Sequence, residues 1–240
     1  MKRIFLAVLV LSLFINEGKA QTIKDIINTA SGVFNGNNLS NDEVIKGLRE
    51  ALTVGANNGS SKASKTDGFF KNTLIKILMP PEAKNMEAML RKVGAGKQVD
   101  VFVMQLNRAA EDASKSAAPI FLDAIKKITI NDGLQILNGN DDAATRFLQK
   151  GTNAQLLAAF TPIVKASLSK VQITKYWNPL ATKYNKIPLA KKVNPNLENY
   201  VTGKAIEGLF KLIAQEETKI RKDPMAQVSD LLKKVFGKKG

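Results

Sequence analysis

Leu197-Glu198-Asn199-Tyr200-Val201-Thr202-Gly203-Lys204-Ala205-Ile206-Glu207-Gly208-Leu209-Phe210-Lys211-Leu212-Ile213, running on to Lys222, decides the fold class. Its apolar side chains Tyr200, Val201, Ile206, Leu209, Phe210, Ile213 and Ile220 fall three and four residues apart, the spacing that lines one face of a helix. Upstream, Lys186 to Asn196 holds Pro188 and Pro195 and reads as an irregular connection. Downstream, Asp223-Pro224 reads as a cap and first-turn proline for a last amphipathic helix bearing Val228, Leu231, Leu232, Val235 and Phe236.

The same period recurs toward the N-terminus. Ser40 and Glu43 form a capping box for a helix expected to reach about Gly55, with Gly47, Ala51 and Gly55 at every fourth position inviting close approach of another helix. Asn57 to Gly68 reads as a loop closed by the turn Thr66-Asp67-Gly68. Pro80-Pro81-Glu82 opens a helix with Met86, Met89, Leu90 and Val93, which Gly94 and Gly96 end. The run from Gln98, with Val101, Phe102, Met104, Leu106 and Ala109 apolar on more than one face, is the expected central helix. Pro119 leads into Ile120 to Ile130. Gly139 and Gly151 read as stops, and Thr152 with Gln155 as a second capping box for a segment that Pro162 kinks. No period-two strand pattern of convincing length occurs. The expectation is an all-α, irregular bundle of about eight to ten helices without significant β-sheet.

The first twenty residues read as a cleaved export signal. Lys2 and Arg3 precede an apolar run from Ile4 to Ile15, and Gly18-Lys19-Ala20 supplies small residues three and one before the break. A stretch of twelve residues, interrupted by Ser12, is too short to span a bilayer, which takes about 20. The domain expectation is therefore a signal over residues 1–20 and one helical domain over 21–240, located in the periplasm or on the cell envelope.

Composition removes whole chemistries. The chain has 0 cysteines and 0 histidines, which excludes disulfides, thiolate and imidazole metal sites, and every nucleophile system that needs a histidine base. No metal and no cofactor is expected. The net charge is +15 and unevenly placed: residues 162–240 hold 16 basic against 6 acidic side chains, and the 55 residues between Asp142 and Glu198 hold no acid. Such a stretch attracts an anionic surface.

The segments Leu39-Ser40-Asn41-Asp42-Glu43, Lys65-Thr66-Asp67-Gly68-Phe69, Asn107-Arg108-Ala109-Ala110-Glu111, Ile136-Leu137-Asn138-Gly139, Asp141-Asp142-Ala143-Ala144-Thr145 and Asp230-Leu231-Leu232-Lys233-Lys234-Val235-Phe236-Gly237 carry a family resemblance. In this order they resemble domain-of-unknown-function family 4197. The resemblance covers nearly all of the chain after the signal and implies an exported, all-helical protein of Gram-negative-type bacteria. It implies no reaction and no ligand. One departure is Pro179, where a residue that continues the helix is expected.

Two constellations are candidate sites. All three tyrosines and the single tryptophan lie between Tyr176 and Tyr200 among lysines. Lys175, Tyr176, Trp177, Lys183, Tyr184, Lys186, Lys191 and Lys192 thus form a candidate contact with an anionic surface, since Tyr and Trp suit boundaries between apolar and wet phases. The competing reading makes Tyr176, Trp177, Leu180 and Tyr184 the core stripe of a helix. Asn107, Arg108, Glu111 and Asp112, one turn apart on the central helix, form the second constellation. They are either a structural ion pair, because buried charges must be compensated, or a ligand pocket with Glu111 as acid or base. Asp132, Asp141, Asp142, Asn138 and Asn140 lack the spacing and final glutamate of a calcium loop and read as helix caps.

The functional expectation is a non-enzymatic envelope protein whose basic C-terminal region meets anionic lipid or another envelope polyanion, or an envelope protein partner. A helical carrier or carboxylate-based enzyme with a cavity between helices is the alternative. Nucleic acid is not an expected partner.

Overall fold

The structure, a computed structural model, describes residues 40–170, 173–189, 191–194 and 196–236; the side chains of residues 173–176 and 180 are outside that description. The export signal expected over residues 1–20 also lies outside the described residues. From Ser40 onward the chain forms one compact unit. Among the described residues it is about 77% helical, with nine α-helices and no strand, which is the all-α bundle that the apolar spacing indicates.

The helices are α1 (Asn41–Ser64), α2 (Lys84–Lys92), α3 (Gly96–Ser114), α4 (Ala117–Lys126), α5 (Ile130–Leu137), α6 (Ala143–Lys170), α7 (Ile173–Tyr184), α8 (Leu197–Lys222) and α9 (Asp230–Phe236). Helix α8 lies at the centre, packed most extensively on α1 and α6 and also on α3. Its apolar stripe is buried as the spacing requires, from Val201 through Leu209, Phe210 and Ile213 to Ile220. Burying each such side chain fully stabilises the fold by about 1.5–3 kcal/mol. Phe210 meets Phe121 of α4 edge-on, with ring centroids 5.6 Å apart.

Helix α1 begins at the expected capping box: the Ser40 hydroxyl accepts from the Glu43 amide at 3.2 Å, and the Glu43 carboxylate accepts from the Ser40 amide at 2.9 Å. It does not stop near Gly55. The helix continues to Ser64 because its small residues serve packing: a methyl group at Gly59 would lie 3.0 Å from Ile213 of α8. Gly47 likewise admits Val235 of α9, which would sit 2.7 Å from a Cβ there. Tertiary contact here overrides the low helix propensity of Asn57, Asn58 and Gly59.

Further expectations are corrected. Gly151 is not a stop, and Thr152 caps nothing. Helix α6 runs through Gly151 and Pro162, and the buried Thr152 hydroxyl donates to the Leu148 carbonyl at 2.7 Å within the helix. Pro179 sits inside α7 without ending it. The cap of α5 is Thr129, whose hydroxyl accepts from the Asp132 amide at 3.2 Å. On α3 the inner face carries Val99, Val103, Leu106 and Ala110, whereas Val101 is exposed. Asp223 caps a short 3-10 turn, Pro224–Ala226, and α9 starts only at Asp230.

Candidate functional site

The Asn107 to Asp112 constellation divides into three separate contacts. Asn107 is fully buried; its Oδ1 accepts from the Ile77 amide at 2.8 Å and its Nδ2 donates to the Ile77 carbonyl at 2.7 Å, as a strand neighbour would. Glu111, also buried, accepts from two consecutive amides with one oxygen: Phe69 N at 3.1 Å and Phe70 N at 3.2 Å. Its other oxygen accepts from Arg108 Nη1 at 2.6 Å, and Arg108 Nη2 donates to Asp67 at 2.6 Å. Asp112 faces elsewhere, accepting from Ser167 of α6 at 2.9 Å and from Lys115 at 2.7 Å.

Local sequence explains why the turn reaches Glu111. Asp67 adopts a left-handed φ of 67°, and a Cβ on Gly68 would lie 2.3 Å from the Lys62 carbonyl oxygen, so only glycine closes this bend. The bend aims the Phe69 and Phe70 amides at α3. Hydrogen bonds from Lys71 and Arg108 hold the Asp67 carboxyl below its ordinary pKa, and the Glu111 and Asp67 carboxylates raise that of Arg108. The Arg108 guanidinium also lies 5.7 Å over the Phe70 ring. Both oxygens of Glu111 are thus engaged by donors within the protein, and the arrangement fastens a turn to a helix.

A second buried glutamate repeats this design on α8. Glu217 Oε1 accepts from the Ala144 amide at 3.0 Å and from Arg221 Nη2 at 2.9 Å; Oε2 accepts from the Thr145 amide at 2.8 Å and its hydroxyl at 2.7 Å. The first-turn amides of α6, which have no partner within their own helix, are satisfied from another helix. Arg221 donates onward to the Ile136 carbonyl at 2.9 Å and lies 5.9 Å from the Phe236 ring. Sequence reasoning missed this site. Its signal was present, because Glu217 occupies a position on the buried stripe between Ile213 and Ile220. Beside it, Leu48, Leu52, Ala144, Ile213, Glu217 and Phe236 line a cavity of about 20 Å³, room for one water molecule.

The basic, aromatic region is the remaining candidate. Trp177 requires a correction: it is 2% exposed, tilted against Phe102 at 5.2 Å between centroids, and its Nε1 donates to the Asn194 carbonyl at 3.3 Å. It is a core residue, because the indole buries a large apolar area and its one polar atom finds a backbone partner. Tyr184 is half-buried and packs against the same core. The side chains of Lys175 and Tyr176 lie outside the described residues. Lys183, Lys186, Lys191 and Lys192 are exposed, and among the described residues no carboxylate pairs with them.

Lys183 stands in the last turn of α7, and just after it Lys186, Lys191 and Lys192 belong to one loop. At its base the Asn185 side chain pairs with the Val193 backbone in both directions: Nδ2 donates to the carbonyl at 2.8 Å, and Oδ1 accepts from the amide at 2.7 Å. Val193 itself is buried in the core. Beyond that base stand Ile187, 50% exposed, and Leu189, fully exposed at a left-handed φ of 62°.

Among the described residues no group of carboxylates could hold a metal ion, and no helix is long and apolar enough to cross a membrane. The chain belongs to the family described as protein of unknown function, DUF4197, which matches residues 38–237. Neither a curated protein nor a solved structure matches it in the comparisons made.

Proposed function

We propose that the chain acts outside the cytoplasm, after removal of residues 1–20, as an envelope-associated binding protein whose basic loop meets an anionic membrane surface. The observation that carries this reading is the exposure of Lys183, Lys186, Lys191 and Lys192 on one short segment without carboxylate partners among the described residues. A cation near an anionic bilayer gains about 1 kcal/mol, so four acting together give measurable association at physiological salt. Lys175 lies on α7 just before them. The engagement of Glu111 and Glu217 in backbone hydrogen bonds favours binding over carboxylate chemistry as the role.

The test is co-sedimentation of the chain from Gln21 onward with anionic and neutral vesicles at low and high salt, beside the variant Lys186→Glu/Lys191→Glu/Lys192→Glu. The expected result is retention by anionic vesicles only, weakened by salt and abolished by charge reversal. Equal sedimentation of the variant would sink the reading. Expression with its leader in an export-competent host, followed by intact-mass measurement, tests the location; the expected product begins at Gln21.

A further inference from the structure

The geometry points to Ile187, Pro188 and Leu189 as an apolar tip that inserts into the interfacial layer of an anionic phospholipid bilayer, with Lys186, Lys191 and Lys192 as its headgroup collar. This rests on the membrane-surface reading above and adds the element that enters the lipid. Isolated exposed leucines are ordinary on protein surfaces. What sets this tip apart is the conjunction of features. Leu189 is fully exposed and Ile187 half exposed, and exposed lysines stand on both sides within three residues. Binding to an interface scales with the apolar area that enters it plus attraction to anionic headgroups, and this loop supplies both at one point.

The base of the loop supplies the stiffness that insertion needs. A tip that had to be ordered on binding would lose part of its gain to conformational entropy. Here the two hydrogen bonds between Asn185 and Val193, the burial of Val193 and the bond from Trp177 Nε1 to the Asn194 carbonyl hold the ends of the loop in the core. Trp177 is therefore a positioning residue for the tip and does not itself meet lipid.

The chain has 0 cysteines, so one introduced thiol can be labelled cleanly. Leu189→Cys and, as an exposed control on α1, Ser61→Cys are each coupled to an environment-sensitive fluorophore and mixed with phosphatidylglycerol-containing vesicles carrying a bilayer-embedded quencher. Ile187→Ser/Leu189→Ser is measured for vesicle affinity in parallel; both positions are exposed, so the fold is retained. The expected result is a blue shift and quenching of the Leu189 label alone, with affinity of the double variant reduced about tenfold or more. If the protein binds but the Leu189 label stays in water, insertion is overturned and the electrostatic contact stands. If the protein does not bind these vesicles, both readings fall.

Discussion

Glu217 closes the N-terminus of α6 through Thr145, accepting that residue's amide at 2.8 Å and its hydroxyl at 2.7 Å. Removing the carboxylate leaves Arg221, a side chain only 12% exposed, without its counter-charge, and strands the first-turn amides of a long helix. Glu217→Ala is expected to cost about 3–5 kcal/mol, the usual consequence of breaking a buried pair. Glu207→Ala, which removes an exposed partner of Lys204 and Lys211, is expected to cost less than about 1 kcal/mol. Urea unfolding followed by circular dichroism checks both, and equal losses would contradict the assignment.

Two glycines on the same chain are expected to respond in opposite directions. Nothing lies within 4 Å of a Cβ built on Gly151, an exposed helical position, so Gly151→Ala is expected to stabilise by about 0.5–1 kcal/mol. Gly68→Ala places a methyl group 2.3, 2.6 and 2.9 Å from three backbone carbonyl oxygens, which cannot swing aside. It is expected to destabilise by more than about 1 kcal/mol, read from the shift in urea midpoint.

Tyr200 supplies an alkaline signature. Burial, with smaller contributions from Glu82 and Glu207, pushes its phenol up to about 12, and its hydroxyl donates to the Leu78 carbonyl at 3.1 Å. Because the folded form holds the proton more tightly, this contribution to stability is complete below the unfolded pKa of about 10. It is lost as pH rises toward 12. Tyrosinate absorbance is expected to show one late-titrating component that Tyr200→Phe removes; an unchanged titration in that variant would refute the placement.

At the acid end the sign reverses. A hydrogen bond from Lys115, then one from Ser167, holds the Asp112 carboxyl below its ordinary pKa, and Lys204 and Lys211 do the same for Glu207. Such groups stabilise the fold above the unfolded carboxylate range near pH 4, and the contribution disappears as pH falls through the depressed value. Asp112→Asn is expected to flatten the dependence of unfolding free energy on pH below about 4. A slope identical to that of the parent would show that the Asp112 contacts are not made.

Trp177 is the single tryptophan, so its emission reports one place. At 2% exposure it is expected to emit to the blue, to resist acrylamide quenching, and to stay unchanged when the protein meets anionic vesicles. A red-shifted or vesicle-sensitive emission would return it to the surface.

The sequence disclosed those features that depend on neighbours within a few residues. The Ser40–Glu43 box, the α8 stripe and the bend at Asp67-Gly68 each follow from local spacing and backbone chemistry. It misled where a partner far along the chain decides. Gly59 and Gly151 look like helix breakers, yet the first is kept helical by Ile213, 154 positions away. For Trp177 the lysines suggested a boundary and the helical spacing a core stripe, and the contacts with Phe102 and Asn194 decide for the core. The pairing of Glu111 with two amides about forty residues earlier, and of Glu217 with two more than seventy earlier, has no counterpart in periodicity. Apolar spacing identifies the buried face of a helix but not the backbone that will face it.

The position of α8 in the chain bears on the order of synthesis. A nascent chain that ends before residue 197 has already made α1, α3 and α6, yet the acceptor for the Ala144 and Thr145 amides and the ring that meets Phe121 have still to emerge. The residues before α8 therefore stay incompletely packed until that helix is delivered. Commitment to the native state waits for α8, which keeps the growing chain open to whatever machinery handles it first.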